Sequence, residues 1–347
     1  MGCNVGMNRN KRAAVIRGDG VGPELVDAML MVLKSCNTQV ELIPCDAGSE
    51  WWERHGGESY IPDATWSILK QSDACFKGPT TTIPSPKAPR SVAVTLRQTF
   101  DLYANIRPIR TYARSAKQLD FICVREATEG LYSGIEFKVG DDAAIAIRKI
   151  TRKKCESIAR KASEVAVSNN YSKVIAITKR NILKETDGIF IDAVTSICSS
   201  KGLQVEEYYI DNMCQQLVKN PERFNSCVLV STNLFMDIIS ETASAHLGSI
   251  GNVYSANLGD NYAMFEPAHG SAPKYKGLNK MNPTATILSG AWMLEYLGEK
   301  DIAKAIFDAA RDVINEGVYI TYDLGGNATT TEMAEQIALK AARMLRR

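Results

Sequence analysis

Histidine is scarce: His55, His246 and His269 are the three in 347 residues, which leaves little for a His-rich metal centre or a Ser-His-Asp triad. The nine cysteines are odd in number, scattered and without a Cys-x-x-Cys pair, so they supply neither a disulfide framework nor a structural zinc site. They read as small hydrophobes in a reducing compartment, and a cytoplasmic location is expected. No apolar run reaches the roughly 18 residues needed to cross a membrane. No apolar segment follows the start, MGCNVGMNRNKR, so no signal peptide is expected, and Gly6 stands where a myristoylation site has Ser or Thr. A net charge of +2 gives no electrostatic case for nucleic acid. Repeats and low-complexity linkers are also missing. What remains is a globular composition, 23% charged and 45% hydrophobic, in a chain long enough to predict two interleaved lobes.

Short β-branched runs alternate with helical patterns. Strands are predicted at 13–16, 120–124, 172–177, 205–210 and 227–231, and helices at 20–35, 153–168, 188–200, 281–298, 301–317 and 330–347. Alternation of this kind predicts an α/β fold. In the first helix, Pro23 suits the opening turn, and Leu25, Ala28, Met29, Val32 and Leu33 form one apolar stripe. The preceding RGDGVGPE has the spacing G-x-G-x-G, and no acid ends a second strand at the offset a dinucleotide fold needs. It reads as a tight strand-to-helix turn, not a Rossmann fingerprint.

The charges raise a sharper question. TNLFMDIISETAS (232–244) is mostly apolar or small, yet Asp237 and Glu241 lie one helical turn apart and share a face. That face is either solvated or grips a hard divalent cation. Arg97, Arg107 and Arg125 fall within 29 residues, near predicted strand ends, where buried guanidinium groups need anionic partners. A small di- or tricarboxylate fits them better than a polymer does. Lys179 ends another strand and could act as a base beside a cation; Tyr132 sits in a Gly-flanked turn and could deliver a proton. Taken alone, each also reads as a surface lysine and an ordinary turn tyrosine.

Five segments, IRGDGVGPE, LRQTFDLYANIRPIR, VREATEGLYSG, STNLFMDIISETA and FEPAHGSAPKYKGLNKMNPTATILS, together resemble the β-decarboxylating dehydrogenases, the family of isocitrate, 3-isopropylmalate and homoisocitrate dehydrogenases. The likeness runs in one register from about residue 13 to the C-terminus. It implies a homodimer with a two-lobed α/β fold distinct from Rossmann. Residues 1–102 plus 248–347 would form the large domain and 103–247 the small one, with an arm near 132–150 clasping the partner. It also implies oxidation of a 2-hydroxy acid at C2 by a nicotinamide, followed by loss of the C3 carboxylate as CO₂. Arg97, Arg107 and Arg125 match the carboxylate-binding positions. Asp237, Glu241 and Asp211 match the Mg²⁺ or Mn²⁺ ligands, Asp211 and Lys179 arriving from the other subunit. Lys179 and Asp211 would remove the hydroxyl proton, and Tyr132 would protonate C3.

For the cofactor, the resemblance points to His269, Gly270, Ser271 and Ala272 around adenosine, Asn282 near adenine, and Thr81 and Asn181 as further contacts. Lys274, Tyr275 and Tyr322 follow an NADP pattern, whereas NAD-linked members carry an acid at 274. Gly326, where NADP enzymes often have Arg, is closer to NAD-linked members. Ser91 and Lys77 would meet a distal carboxylate, which makes isocitrate the expected substrate, with homoisocitrate, 3-isopropylmalate or a non-catalytic regulatory role as alternatives. Three departures stand out: Ala93 for the usual Asn of isocitrate enzymes, Ala127 for Asn, and Glu241 for Asp.

Overall fold

The helix Gly22–Ser35 opens on Pro23 and buries the predicted stripe of Leu25, Ala28, Met29, Val32 and Leu33. In the computed structural model, which describes residues 10–112 and 117–346, that helix is one of a layer flanking a long sheet. The strands are β1 (Arg12–Ile16), β2 (Glu41–Cys45), β3 (Ala74–Lys77), β4 (Ala104–Arg110), β5 (Asp120–Glu126), β6 (Glu136–Val139), β7 (Ala143–Ala146), β8 (Lys173–Thr178), β9 (Gln204–Tyr209), β10 (Cys227–Ser231), β11 (Tyr254–Leu258) and β12 (Ala263–Pro267). Ten of them form one sheet in the order β2-β1-β3-β12-β11-β4-β5-β10-β8-β9. The flanks are parallel, while β12–β11, β11–β4 and β4–β5 pair antiparallel and make a central seam. β6 and β7 form a separate exposed hairpin.

Alternation along each strand sorts side chains to the two faces. Ala13 and Val15 join a core under the helices Gly22–Ser35, Thr284–Tyr296, Lys300–Glu316 and Thr330–Leu345. Ala14 and Ile16 join a second core with Leu96 of the helix Val92–Thr99. In the other half, Ile122 and Val124 pack with the helices Arg152–Ser168 and Lys184–Ser200, and Phe121 and Cys123 with Ile210–Lys219 and Asn233–Ser244. Thr329 and Glu332 form a capping box that starts the last helix.

The five predicted strands and six predicted helices are all present. β2, β3, β4, β11 and β12 join them in the sheet, β6 and β7 form the separate hairpin, and these seven correct the strand list. β2 is an edge strand that tolerates Pro44, and β4 and β11 put polar residues on one face, so neither reads as a continuous apolar run. The glycine-rich turn is a junction of three segments. A Cβ on Gly18 would lie 2.0 Å from the Pro79 carbonyl oxygen, and one on Gly20 2.1 Å from that of Ser271. Between them the buried Asp19 carboxylate accepts from the backbone amides of Ser49, Glu50 and Thr81.

Candidate active site

On one face of the sheet the two apolar cores are separated by a row of polar side chains. Strand register creates the row: Asn257 on β11 stands opposite Asn105 on β4, and Asn105 opposite Arg125 on β5. Arg97 projects from the helix Val92–Thr99, Arg107 from the middle of β4 and Arg125 from near the end of β5, so two of the three are not at strand ends as expected. All three are buried, and a buried cation has to be neutralised. Glu266 on β12 does this for Arg97 (2.8 Å) and Lys77 (2.9 Å). Asn257 bridges the row, accepting from Arg97 at 2.8 Å and from Asn105 at 3.0 Å while donating to Glu266 at 2.8 Å. Asn105 in turn accepts from Arg107 Nε at 2.9 Å.

At the far end stands the helix Asn233–Ser244. Its 232–244 sequence puts Asn233, Asp237, Ser240 and Glu241 on the face turned to the arginines. Arg107 donates to Ser240 and Glu241, each at 2.9 Å, and lies 3.5 Å from Asp237. Arg125 pairs with Asp237 and donates to Asn233 at 2.9 Å. Tyr132 donates its hydroxyl to Asp237 at 2.5 Å, with the Arg125 guanidinium 5.0 Å from its ring centre. Burial pushes the Asp237 carboxyl up, but Arg125 and Arg107 outweigh it and hold it below its ordinary value. Burial and the Asp237 carboxylate raise Tyr132, which therefore stays protonated at neutral pH. Burial together with Arg97 and Arg107 lowers Arg125 to about 10, still charged.

A cavity of about 180 Å³ opens beside this row, walled by Lys77, Ser91, Ala93, Arg97, Arg107 and His269. Ser91 occupies the N-cap position of the helix Val92–Thr99 yet makes no capping bond with its hydroxyl. Glu266 also borders the cavity; burial opposes its charge, but Lys77 and Arg97 keep it ionised well below the ordinary 4.5. The unfolded chain binds a proton to this group first, so its contribution to stability is complete above about pH 4.5 and is lost as pH falls further. Urea titrations from pH 7 to 3 are expected to show the midpoint dropping below about pH 4.5, and a flat profile there contradicts the pairing.

The cofactor-loop residues gather next to the cavity. His269 is buried and held neutral by burial; its Nδ1 faces the Gly270 carbonyl at 3.1 Å, and its Nε2 has no partner. Ser271 and Thr81 share a 2.6 Å hydroxyl contact, and the Ser271 carbonyl accepts from Val21. Ala272 adopts left-handed backbone (φ 38°) ahead of the turn that carries Lys274 and Tyr275. The Tyr275 and Tyr322 rings stack at 6.3 Å, and the Lys280 ammonium lies 5.2 Å from the Tyr322 ring centre. Asn282 uses its amide on Asn252, Asp323 and the Thr284 amide. Gly326 cannot hold the arginine of NADP enzymes without backbone movement, since its Cβ would meet the Ile320 carbonyl oxygen at 2.1 Å.

Lys179, Asp211 and Asn181 are not brought to this site within one chain. Lys179 pairs with Asp211 at 2.8 Å and stands 5.8 Å from the Tyr209 ring centre, while Asp211 and Asn181 are exposed. Lys179 holds the Asp211 carboxyl below its usual value. Among the described residues, no three His, Cys, Asp or Glu side chains converge on one point. Glu266, Asn105, Asn257, Asn233 and Ser240 escaped the sequence reading. Glu266 had a signal, an acid inside the apolar strand AMFEP that had to find cations.

The chain belongs to the isocitrate/isopropylmalate dehydrogenase family, whose sequence profile it matches over residues 12–337. Members are decarboxylating hydroxy-acid dehydrogenases that use a nicotinamide cofactor and a divalent metal. The homoisocitrate dehydrogenase of Methanocaldococcus jannaschii is 38% identical over 94% of this chain and 96% of its own length. The 3-isopropylmalate/3-methylmalate dehydrogenase of the same organism is 39% identical over 94% and 98%. The crystal structure of isocitrate dehydrogenase from Methylococcus capsulatus superposes with a TM-score of 0.91 at 39% identity, covering 96% of this chain and 99% of that one. The two-lobed α/β fold expected from the sequence is therefore the family's fold, and no helix among the described residues is long and apolar enough to cross a membrane.

Proposed function

We propose that this chain is an NADP-dependent isocitrate dehydrogenase that forms 2-oxoglutarate and CO₂. The observation that carries the substrate is the cavity wall: three cations and the uncapped Ser91 hydroxyl meet where an isopropyl group would need an apolar surface. Arg97, Arg107 and Arg125 fork the carboxylates, and Lys77 and Ser91 take the distal one. Ala93 in the same wall leaves room for one more methylene, which favours homoisocitrate as the second reading.

The acids suit a hard cation in kind. Asp237 and Glu241 lie one turn apart on one helix face and both pair with Arg107, and Asp211 of the partner subunit would complete an all-oxygen donor set. A bound Mg²⁺ or Mn²⁺ supplies Lewis-acid polarisation of the substrate hydroxyl and its neighbouring carboxylate. The unpartnered His269 Nε2 and the Thr81–Ser271 pair fit a cofactor with polar groups at the loop 269–272. A bound nicotinamide would supply the hydride acceptor for C2. Lys179 and Asp211 from the partner take the hydroxyl proton, and the protonated Tyr132 phenol delivers a proton to C3 after CO₂ leaves. Asn282, buried beside Asn252 and Asp323, would shape the adenine wall, and Asn181 would reach the cofactor only from the partner subunit. The exposed apolar side chains of the β6–β7 hairpin, Phe137, Val139 and Ile145, support a homodimer clasp. With it goes the division into a large domain, 1–102 plus 248–347, and a small domain, 103–247.

The test is a panel of isocitrate, homoisocitrate and 3-isopropylmalate against NADP⁺ and NAD⁺ with Mg²⁺ or Mn²⁺, read at the reduced-nicotinamide absorbance. Isocitrate with NADP⁺ is expected to lead; no reduction with any pair would sink the enzyme reading and leave a regulatory homologue. Lys274 lies beside the stacked Tyr275 and Tyr322, so Lys274→Asp is expected to lower the NADP⁺-to-NAD⁺ ratio of kcat/KM by about tenfold to a hundredfold. An unchanged ratio means that the 2′-phosphate is read elsewhere.

A further inference from the structure

We propose that Arg90 is a positioning residue that aims Tyr132, an inference resting on the reading of Tyr132 as the proton donor. Tyr132 sits on a single 3₁₀ turn, Leu131–Ser133, bracketed by Gly130 and Gly134, both with positive φ. Glycine on both sides makes that turn soft, so its side chain is aimed only as well as its backbone is held. Several of its ties are to residues 125–149 and the helix Asn233–Ser244: the Gly130 amide donates to the Lys149 carbonyl, the Ser133 hydroxyl to the Gly130 carbonyl at 2.9 Å and the Tyr132 hydroxyl to Asp237, and the Arg125 guanidinium lies 5.0 Å from the Tyr132 ring centre.

A further set comes from the segment that carries Ser91 and Arg97. Arg90 Nη2 donates to the Ser133 carbonyl at 2.8 Å and to that of Tyr132 at 3.3 Å, while Nη1 donates to Gln98 Oε1 at 2.6 Å. With its oxygen taken by Arg90, Gln98 turns its nitrogen to the Tyr132 carbonyl, also at 3.3 Å. Gly134 admits the guanidinium: a Cβ there would lie 2.4 Å from Arg90 Nη2. Arg90 has no carboxylate partner among the described residues, so the contact is not a surface ion pair that happens to touch the turn. The fork spans Tyr132 O, Ser133 O and Gln98, a planar pattern that suits Arg and not Lys. The residues that flank Arg90 and Gln98 therefore hold substrate, while Arg90 and Gln98 themselves hold the backbone of the group that protonates it.

Arg90→Ala leaves every proposed substrate contact in place but frees the turn. The test compares wild type, Arg90→Ala and Arg90→Lys as full-length protein by two readouts. Amide hydrogen exchange without ligand is expected to quicken at 131–134 in Arg90→Ala by about tenfold, with the helix 92–99 unchanged. Turnover of isocitrate in D₂O is expected to show kcat lower by about tenfold to a hundredfold with KM within about threefold. It is also expected to scramble deuterium between the two C3 positions of 2-oxoglutarate, because the phenol no longer delivers from one side. Arg90→Lys, which can reach a carbonyl but not Gln98 as well, is expected to restore both readouts in part. Unchanged exchange overturns the clasp; quickened exchange with unaltered kcat and stereochemistry overturns the positioning role. If wild type turns over no acid of the panel, the isocitrate reading fails, and exchange at 131–134 still decides whether Arg90 holds the turn.

Discussion

Lys179→Met is expected to cut turnover by about a hundredfold to ten-thousandfold while changing substrate affinity little. Lys179 lies at the end of β8 and touches neither the arginine row nor the cavity of its own chain; its ammonium is paired with Asp211. Removing the amine therefore leaves Arg97, Arg107, Arg125 and Ser91 intact to bind the acid. It removes the group proposed to take the hydroxyl proton. The side chain is only 26% exposed, and methionine keeps the unbranched apolar stem while losing the ammonium that faces Asp211 and the Tyr209 ring, so the fold should tolerate the change. Substrate binding by calorimetry beside steady-state kinetics separates the two effects. Wild-type turnover refutes the role, and lost binding with lost turnover shows that Lys179 acts by holding the substrate.

Glu266→Gln is expected to cost about 3–5 kcal/mol of stability, because two buried cations then lose the carboxylate that neutralises both. Lys77 and Arg97 are each within 2.9 Å of Glu266, and none of the three is more than 8% exposed. Glutamine keeps the volume and can still accept from Asn257, so the loss reads the charge and not a void. The urea midpoint at fixed protein concentration measures it, which holds constant any contribution from the proposed dimer. The acid limb of the wild-type pH profile should flatten in this variant. A midpoint shift below about 1 kcal/mol shows that solvent or a bound anion neutralises these cations instead.

The parts legible in the sequence were those with strong periodicity or a strong chemical demand. The long helices and the parallel strands β1, β8 and β10 follow from apolar patterning. The pairing of Asp237 with Glu241 on one face followed from spacing alone, and both now face Arg107. The central antiparallel seam was not legible. ANIRPIR and YSANL alternate apolar residues, which pack on the far face, with Asn105, Arg107 and Asn257, which are buried on the near one. Those polar side chains are tolerable only because they satisfy one another across three strands, a long-range fact that no local window carries. Glu266 was missed for the same reason, since its partners lie 189 and 169 residues away. Lys179 and Asp211 were placed by resemblance, and a single chain leaves them apart from the row.

Subunit mixing tests most directly the claim that each active site draws residues from two chains. Lys179→Met and Arg125→Ala, each nearly inactive as a homodimer, are dissociated, combined in equal amounts and reassociated. In a mixed dimer one site receives the intact arginine row from one chain and the intact Lys179 from the other, and the second site carries both defects. Random reassociation should then restore about a quarter of wild-type turnover, half the dimers each with one good site. Activity that stays at the level of the separate variants, with mixed dimers verified by mass, contradicts the shared site and places Lys179 with the arginines of its own chain.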